Sequence, residues 1–358
     1  MLRCMLLPIL LVWLCGQELT SSDIHAQVKT PPSKAEQDKA VAAIEKLGGQ
    51  VTRIESDPQK SVRKVDLFKC EKLTDADLAV LKSFPKLSWV ELDLTKISDK
   101  GLEHLRASTE LEILTLSSVP ITDAGLANLK GLAKLRRISL DGTKITDAGL
   151  AHLKGVISLE SINLGYTKIT DMGLVNLKGL TGLQTIDLGR TKVTGPGLQH
   201  FKGMNNLSSF WCQSGELTDA GLAHLKTLPK LGFLQLDDSK ITDAGLVHVK
   251  DMKVLSTLQM DRTKVTDEGL ANLKGLTSLT SLSIHGTAVT DAGLVHLKAL
   301  TRLDSLGLGK TKVTDAGLEQ LADLKNLRSL TVNGTGVTVA AVKKLQQALP
   351  KLKVGYDK

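Results

Sequence analysis

A 24-residue unit recurs along this chain, marked by phrases of the type Ile145-Thr146-Asp147-Ala148-Gly149-Leu150. Its twelve copies begin at Leu73, Ile97, Ile121, Ile145, Ile169, Val193, Leu217, Ile241, Val265, Val289, Val313 and Val337. A fixed period of this size is the signature of a solenoid. Each unit contacts only its neighbours, so the chain stacks into a long curved slab with one extended surface. Such an object works by holding something on that surface.

The copy from Leu135 to Ser158 shows how one unit is built. Leu135, Ile138 and Leu140 are followed by Thr143, Ile145, Leu150, Leu153 and Val156. Leu135 has a leucine counterpart in every unit from Leu87 to Leu327. Ile138 and Leu140 share one face while residues 137, 139 and 141 take the other, which is the period of a strand. Leu150, Leu153 and Val156 lie three apart and predict one face of a short helix. Each unit is therefore read as strand, turn and helix, with apolar residues from all three pointing inward.

The strand segment resembles the leucine-rich repeat family, whose pattern is L-x-x-L-x-L-x-x-(N/C/T)-x-L. The likeness covers roughly residues 63–355. The Ile-Thr-Asp-x-Gly-Leu variant is similar to a subclass found in F-box substrate receptors and in many bacterial repeat proteins. The resemblance implies an α/β horseshoe, with a concave parallel sheet and helices on the convex side. Thr143 holds the place usually taken by Asn or Cys, and its hydroxyl is expected to bond backbone at the strand-to-loop bend. The ladder runs through Thr95, Thr143, Thr167, Thr191, Thr263, Thr287, Thr311 and Thr335, interrupted at Val119, Gly215 and Ser239. Thr146 or Asp147 is expected to cap the helix. Gly149 is matched from Gly101 to Gly317, but Asp77 and Ala341 stand there in the end units. Glycine is therefore read as relieving crowding between units, since a strict need for positive φ would bind the ends too.

At 358 residues two domains fit by length, but the unbroken repeat argues for one elongated domain. Residues 1–26 read as a secretory signal, with Arg3, an apolar core from Met5 to Leu14, and Ile24-His25-Ala26 or Leu14-Cys15-Gly16 as cleavage points. That apolar run is shorter than the about 20 residues a spanning helix needs, so no transmembrane helix is expected. The chain is accordingly placed outside the cell or in its envelope. Residues 27–62 form a linker and cap, 63–336 the solenoid, and 337–358 the last repeat and closing cap. In the first cap, residues 34–47 predict a helix ended by Gly48-Gly49, followed by two strands around Asp57-Pro58. Val65, Leu67 and Phe68 fall out of phase, which predicts a bulge in the first strand. Cys70 and Cys212 lie too many units apart for a disulfide. Cys212 is expected to be a buried hydrophobe and Cys70 an exposed thiol.

Net charge is +8. One lysine ladder runs from Lys82 through Lys154 to Lys298, another from Lys72 through Lys144 to Lys312. The first sits near the helix C-termini and an aspartate row (Asp75, Asp99, Asp123, Asp147, Asp171, Asp219) near the N-termini, an arrangement that complements the helix dipole. Neither aromatic platforms nor a recognised motif accompanies the lysines, which argues against nucleic acid. His104, His152, His200, His224, His248 and His296 share a position with Asn128, Asn176 and Asn272. A metal array would not accept Asn so readily, so this row is read as a hydrogen-bonding feature. No metal, cofactor or catalytic constellation is expected.

The outward strand positions form parallel rows, neighbours about 4.8 Å apart. One cluster there combines aromatic anchors with polar groups, as binding hot spots do: Trp211, Gln213, Phe233, Gln235, Asp237, Gln259, Asp261 and His285. The repeat changes chemistry beside it, with Gly195-Pro196 replacing Asp-Ala and Gly215-Glu216 replacing Thr-Lys. A cation site at Asp237, Asp261 and His285 would lack ligands, and a triad of Ser283, His285 and Asp261 would lack an oxyanion hole. The reading is a non-enzymatic, exported scaffold that binds a protein partner, or a glycan, through its concave face. The alternative, from the resemblance alone, is the recognition subunit of an F-box-type ubiquitin ligase. That role needs an adaptor-binding module, and only one short helix precedes the repeats.

Overall fold

The computed structural model describes residues 32–356. The signal segment, its cleavage points, Cys4 and Cys15 lie outside the described residues. Among the described residues fourteen strands form one open sheet in chain order. The first pair, Gln50–Arg53 with Val62–Asp66, is antiparallel, and the pairings that follow along the sheet are parallel. Register between regular units is 24 residues: Arg137, Ile138 and Ser139 pair with Ser161, Ile162 and Asn163. The middle residue of each three-residue strand is buried and its neighbours face outward. Behind the sheet, Leu135, Ile138, Leu140, Ile145, Leu150 and Leu153 form one layer of a continuous apolar core. The arrangement is the predicted open solenoid.

The convex side is less helical than its spacing predicted. In the unit beginning at Ile145 the helix spans only Asp147–Leu150, and Leu153 and Val156 pack from the turns that follow. Other units use 3₁₀ segments, such as Gly173–Leu177 and Pro196–Phe201. A spacing of three is the 3₁₀ period, so the apolar residues reach the core without a full α-helix.

Two local devices shape each unit and a third joins it to the next. Thr143 Oγ1 donates to the Leu140 carbonyl at 2.6 Å, and the other ladder threonines repeat the bond. Thr146 is the helix N-cap, its hydroxyl accepting from Ala148 N–H. Asp147 has a different task from the capping expected of it. Its carboxylate crosses to the next unit and accepts from Thr170 N–H at 2.8 Å and Thr170 Oγ1 at 2.6 Å. The same staple recurs from Asp75 with Ser98 to Asp315 with Thr338. The glycine row makes room for it. A Cβ on Gly101 would lie 2.7 Å from Asp75 Oδ1, and one on Gly125 2.5 Å from Asp99 Oδ1. No glycine of this row, from Gly101 to Gly317, adopts positive φ, as the crowding argument held.

The ends are closed by ordinary capping. Helix Lys34–Lys46 starts in a capping box between Ser33 and Glu36 and buries Ala40, Val41 and Ile44 on the first unit. Helix Val339–Ala348 and strand Lys353–Gly355 close the other end. In the first full strand, Thr52 pairs with Lys64 but Arg53 with Val62, so Arg63 is a bulge. The phase slip has a second cause. Cys70 occupies the bend position of Thr143, and one extra residue separates it from Leu73. Cys70 is therefore buried, 6% exposed, rather than the exposed thiol expected, and burial pushes its thiol pKa up. Cys212 is buried as expected, with its thiol pushed up to about 12 by burial. The Asn row bonds backbone, Asn128 Nδ2 to Gly125 O at 3.1 Å, but His296 Nδ1 is buried with no partner. The hydrogen-bonding reading therefore holds for the asparagines but not for Nδ1 of His296.

Candidate functional site

The candidate site lies on the concave sheet where strands Thr185–Asp187, Ser209–Trp211, Phe233–Gln235, Thr257–Gln259 and Ser281–Ser283 run side by side. Strand alternation turns Phe210, Leu234, Leu258 and Leu282 inward and leaves their neighbours on the open face. Trp211 pairs in register with Asp187 on one side and Gln235 on the other. Its ring leans back over Phe233, with centroids 4.9 Å apart and planes tilted by 39°. Both rings remain partly exposed, which forms an apolar step on an otherwise polar sheet.

Around this step the predicted residues divide into two groups. Gln213 lies flat over Gly189, where a Cβ would meet its Cδ at 2.7 Å, and its Oε1 is buried without a partner. Gln235 Nε2 donates to Asp237 Oδ2 at 2.7 Å, and Asp261 N–H donates to Asp237 Oδ1 at 2.8 Å. Asp261 Oδ1 in turn accepts from His285 N–H at 2.9 Å and from the Ser283 hydroxyl. Gln259 stands half-buried on the strand between Gln235 and Ser283. Trp211, Phe233 and Gln235 thus form one group and Asp237, Asp261 and His285 a second, joined through Gln235. The two aspartates turn oxygens to backbone N–H groups rather than converging with His285 on one point. Among the described residues no group of three or more His, Cys, Asp or Glu side chains could hold a metal ion.

Sequence reasoning missed one neighbour of the site and one separate cluster on the same face. Asp187 sits directly beside Trp211, and reading its outward row pairwise at 24-residue spacing finds it. Lys64 centres the separate cluster, at the first units. Its Nζ stands 4.1 Å over the Trp89 ring and pairs with Glu91 at 2.8 Å and Asp66 at 2.9 Å. Its phase is hidden by the extra residue of the first unit.

The electrostatics of this face oppose those of the whole chain. Both lysine ladders are exposed away from the sheet strands. The outward strand rows carry Asp66, Glu91, Asp93, Asp141, Asp187, Asp237 and Asp261 against Lys64, Arg137 and Lys353. Burial raises the carboxyl pKa of Asp141, with the charges of Asp187 and Asp93 adding to it. Burial likewise raises Asp187, against the Gly189 N–H that favours its charged form. Burial raises Asp237 too, despite its bonds from Gln235 and Asp261.

A carboxyl with a raised folded pKa binds its proton more readily folded than unfolded. Its ionisation therefore costs stability at neutral pH, and that cost disappears as pH falls through the raised value. Asp187→Asn is thus expected to raise Tm near pH 7 by about 1–2 °C. The gain should shrink as pH falls toward the ordinary aspartate range near about 4. Thermal unfolding of both proteins across that interval checks this, and a lower Tm for the variant at pH 7 would contradict it.

No family model and no curated relative matches the chain. The fold is shared with solved structures. The chain is similar to an internalin from Listeria monocytogenes, with 21% identity and a TM-score of 0.66 over 93% of this chain and 99% of that one. It is also similar to a leucine-rich repeat protein of Leptospira interrogans, with 18% identity and a TM-score of 0.58 over 77% of this chain and 74% of that one. Among the described residues no helix is long and apolar enough to cross a membrane.

Proposed function

Because the chain is a leucine-rich repeat solenoid, we propose that it is a non-enzymatic recognition scaffold, exported by its N-terminal segment, that binds a protein through its concave face. The observation that carries this reading is the partly exposed Trp211–Phe233 pair set among Gln213, Gln235, Asp237, Gln259, Asp261 and His285. A large aromatic held rigid by a neighbour loses little entropy on binding and offers wide contact area, which is why such residues dominate interfaces. A glycan would meet the same aromatic step. The adaptor role implied by the F-box resemblance needs a free helical module, whereas helix Lys34–Lys46 is used in covering the first unit.

Affinity capture from native extract tests the reading, with the wild-type chain beside a Trp211→Ala, Asp237→Ala, Gln259→Ala variant. The partner should be held by wild type and lost by the variant, a weakening of about a hundredfold for a removed hot spot. Equal capture by both proteins would move recognition to the convex face or the end caps, and the proposal would fail.

A further inference from the structure

We infer that the Trp211–Phe233 step receives an arginine side chain presented by a basic segment of the partner. This rests on the concave recognition reading and names the chemistry of its occupant. The chain contains its own precedent. At the first units Trp89, Asp66 and Glu91 surround one cation, and Lys64 fills the place with its ammonium over the ring and both carboxylates within 2.9 Å. At the central units the same components recur. Trp211 has Asp187 as its strand neighbour, and Asp237 lies two residues beyond Gln235, its neighbour on the other side. Among the described residues, however, none of Asp187, Asp237 and Asp261 forms an ion pair.

The nearby cations are already engaged. Arg262 forks onto Asp238 with two bonds of 2.6 Å, and Arg190 stacks on Tyr166 at 5.1 Å. Among the other outward residues beside the step, Thr185, Ser209 and Thr257 bring no cation. The step is thus an aromatic surface with half-buried to buried carboxylates beside it that form no ion pair, whereas at Trp89, one outward row away in the register, Lys64 completes the cluster. A guanidinium fits it better than an ammonium. It is planar, stacks on aromatic faces, and offers several donors to carboxylates. The acidic face would also steer a basic segment toward the sheet and away from the lysine ladders.

The test uses fluorescein-labelled Gly/Ser peptides carrying arginine, lysine or glutamate, titrated with the full chain and followed by polarisation. The arginine peptide should bind best and should weaken as salt rises. Trp211→Ala and Asp237→Asn should each weaken it about tenfold or more, with circular dichroism unchanged. Arginine-peptide binding that both substitutions leave intact overturns the site, as does absence of binding up to millimolar peptide. Preference for the glutamate peptide, lost in Trp211→Ala, overturns the cationic occupant while the concave recognition face stands.

Discussion

Phe210→Ala is expected to destabilise the solenoid by about 3–5 kcal/mol, the range for deleting a fully buried phenylalanine. Phe210 and Phe201 are both 0% exposed and meet edge to face, with centroids 6.2 Å apart and planes at 74°. Most regular units carry Leu or Ile at these two places, as at Ile138 and Leu153. Here two large rings meet between adjacent layers, and the smaller Cys212 stands where Leu140 stands elsewhere. A repeat core has no distant layer that can move in, because each unit packs only on its neighbours. The cavity should therefore stay open and the cost should sit at the upper end. The Phe201→Leu and Phe210→Leu effects should not add, since the rings share one contact. Denaturant midpoints and slopes for the single and double variants would show this. A loss below about 1 kcal/mol for Phe210→Ala would mean that the layer collapses around the hole.

Restoring the common residue at position 195 should harm the protein. Ten other junctions carry an aspartate staple, yet Gly195→Asp is expected to cost about 3 kcal/mol. Gly195 adopts φ of 130°, a region nearly restricted to glycine. A Cβ there would lie 2.6 Å from the Gly221 Cα, and Gly197 is equally tight against the Asp171 carbonyl at 2.5 Å. The missing carboxylate is replaced by backbone, since Thr218 N–H and Oγ1 both donate to the Thr194 carbonyl at 3.0 Å. Asp171 compensates from the preceding unit. Burial would push its carboxyl pKa up, but bonds from Thr194, Gly197 and Gly195 outweigh this and hold it below the ordinary range. Substitutions toward a consensus usually stabilise. A Tm above wild type for Gly195→Asp would show that this junction relaxes into the common geometry at no cost.

Much of this architecture is legible in the residues alone. The 24-residue spacing, the inward Leu135, Ile138 and Leu140, and the bend threonine at 143 determine a stacked parallel sheet, because each depends on contacts within a unit or with its repeat. The concave rows follow from strand alternation, so Trp211, Phe233 and Asp237 could be placed on one face in advance. Other features needed the tertiary structure. The strand-to-loop turn adopts positive φ in unit after unit, at Leu94, Tyr166 and Arg262 as well as Gly142. Its N–H is fixed by the next unit, as in Tyr166 N–H to Gly189 O at 2.9 Å, so bonding across the stack holds a conformation that local preference disfavours. Stacking likewise decided that Asp147 serves Thr170 rather than its own helix, and that Trp211 leans on Phe233 instead of its register neighbour Gln235. It also decided how far Asp141, Asp187 and Asp237 are buried on the concave face. A repeat fixes which residues recur, whereas their partners and solvation depend on the side chains of the adjoining unit, which the period alone does not specify.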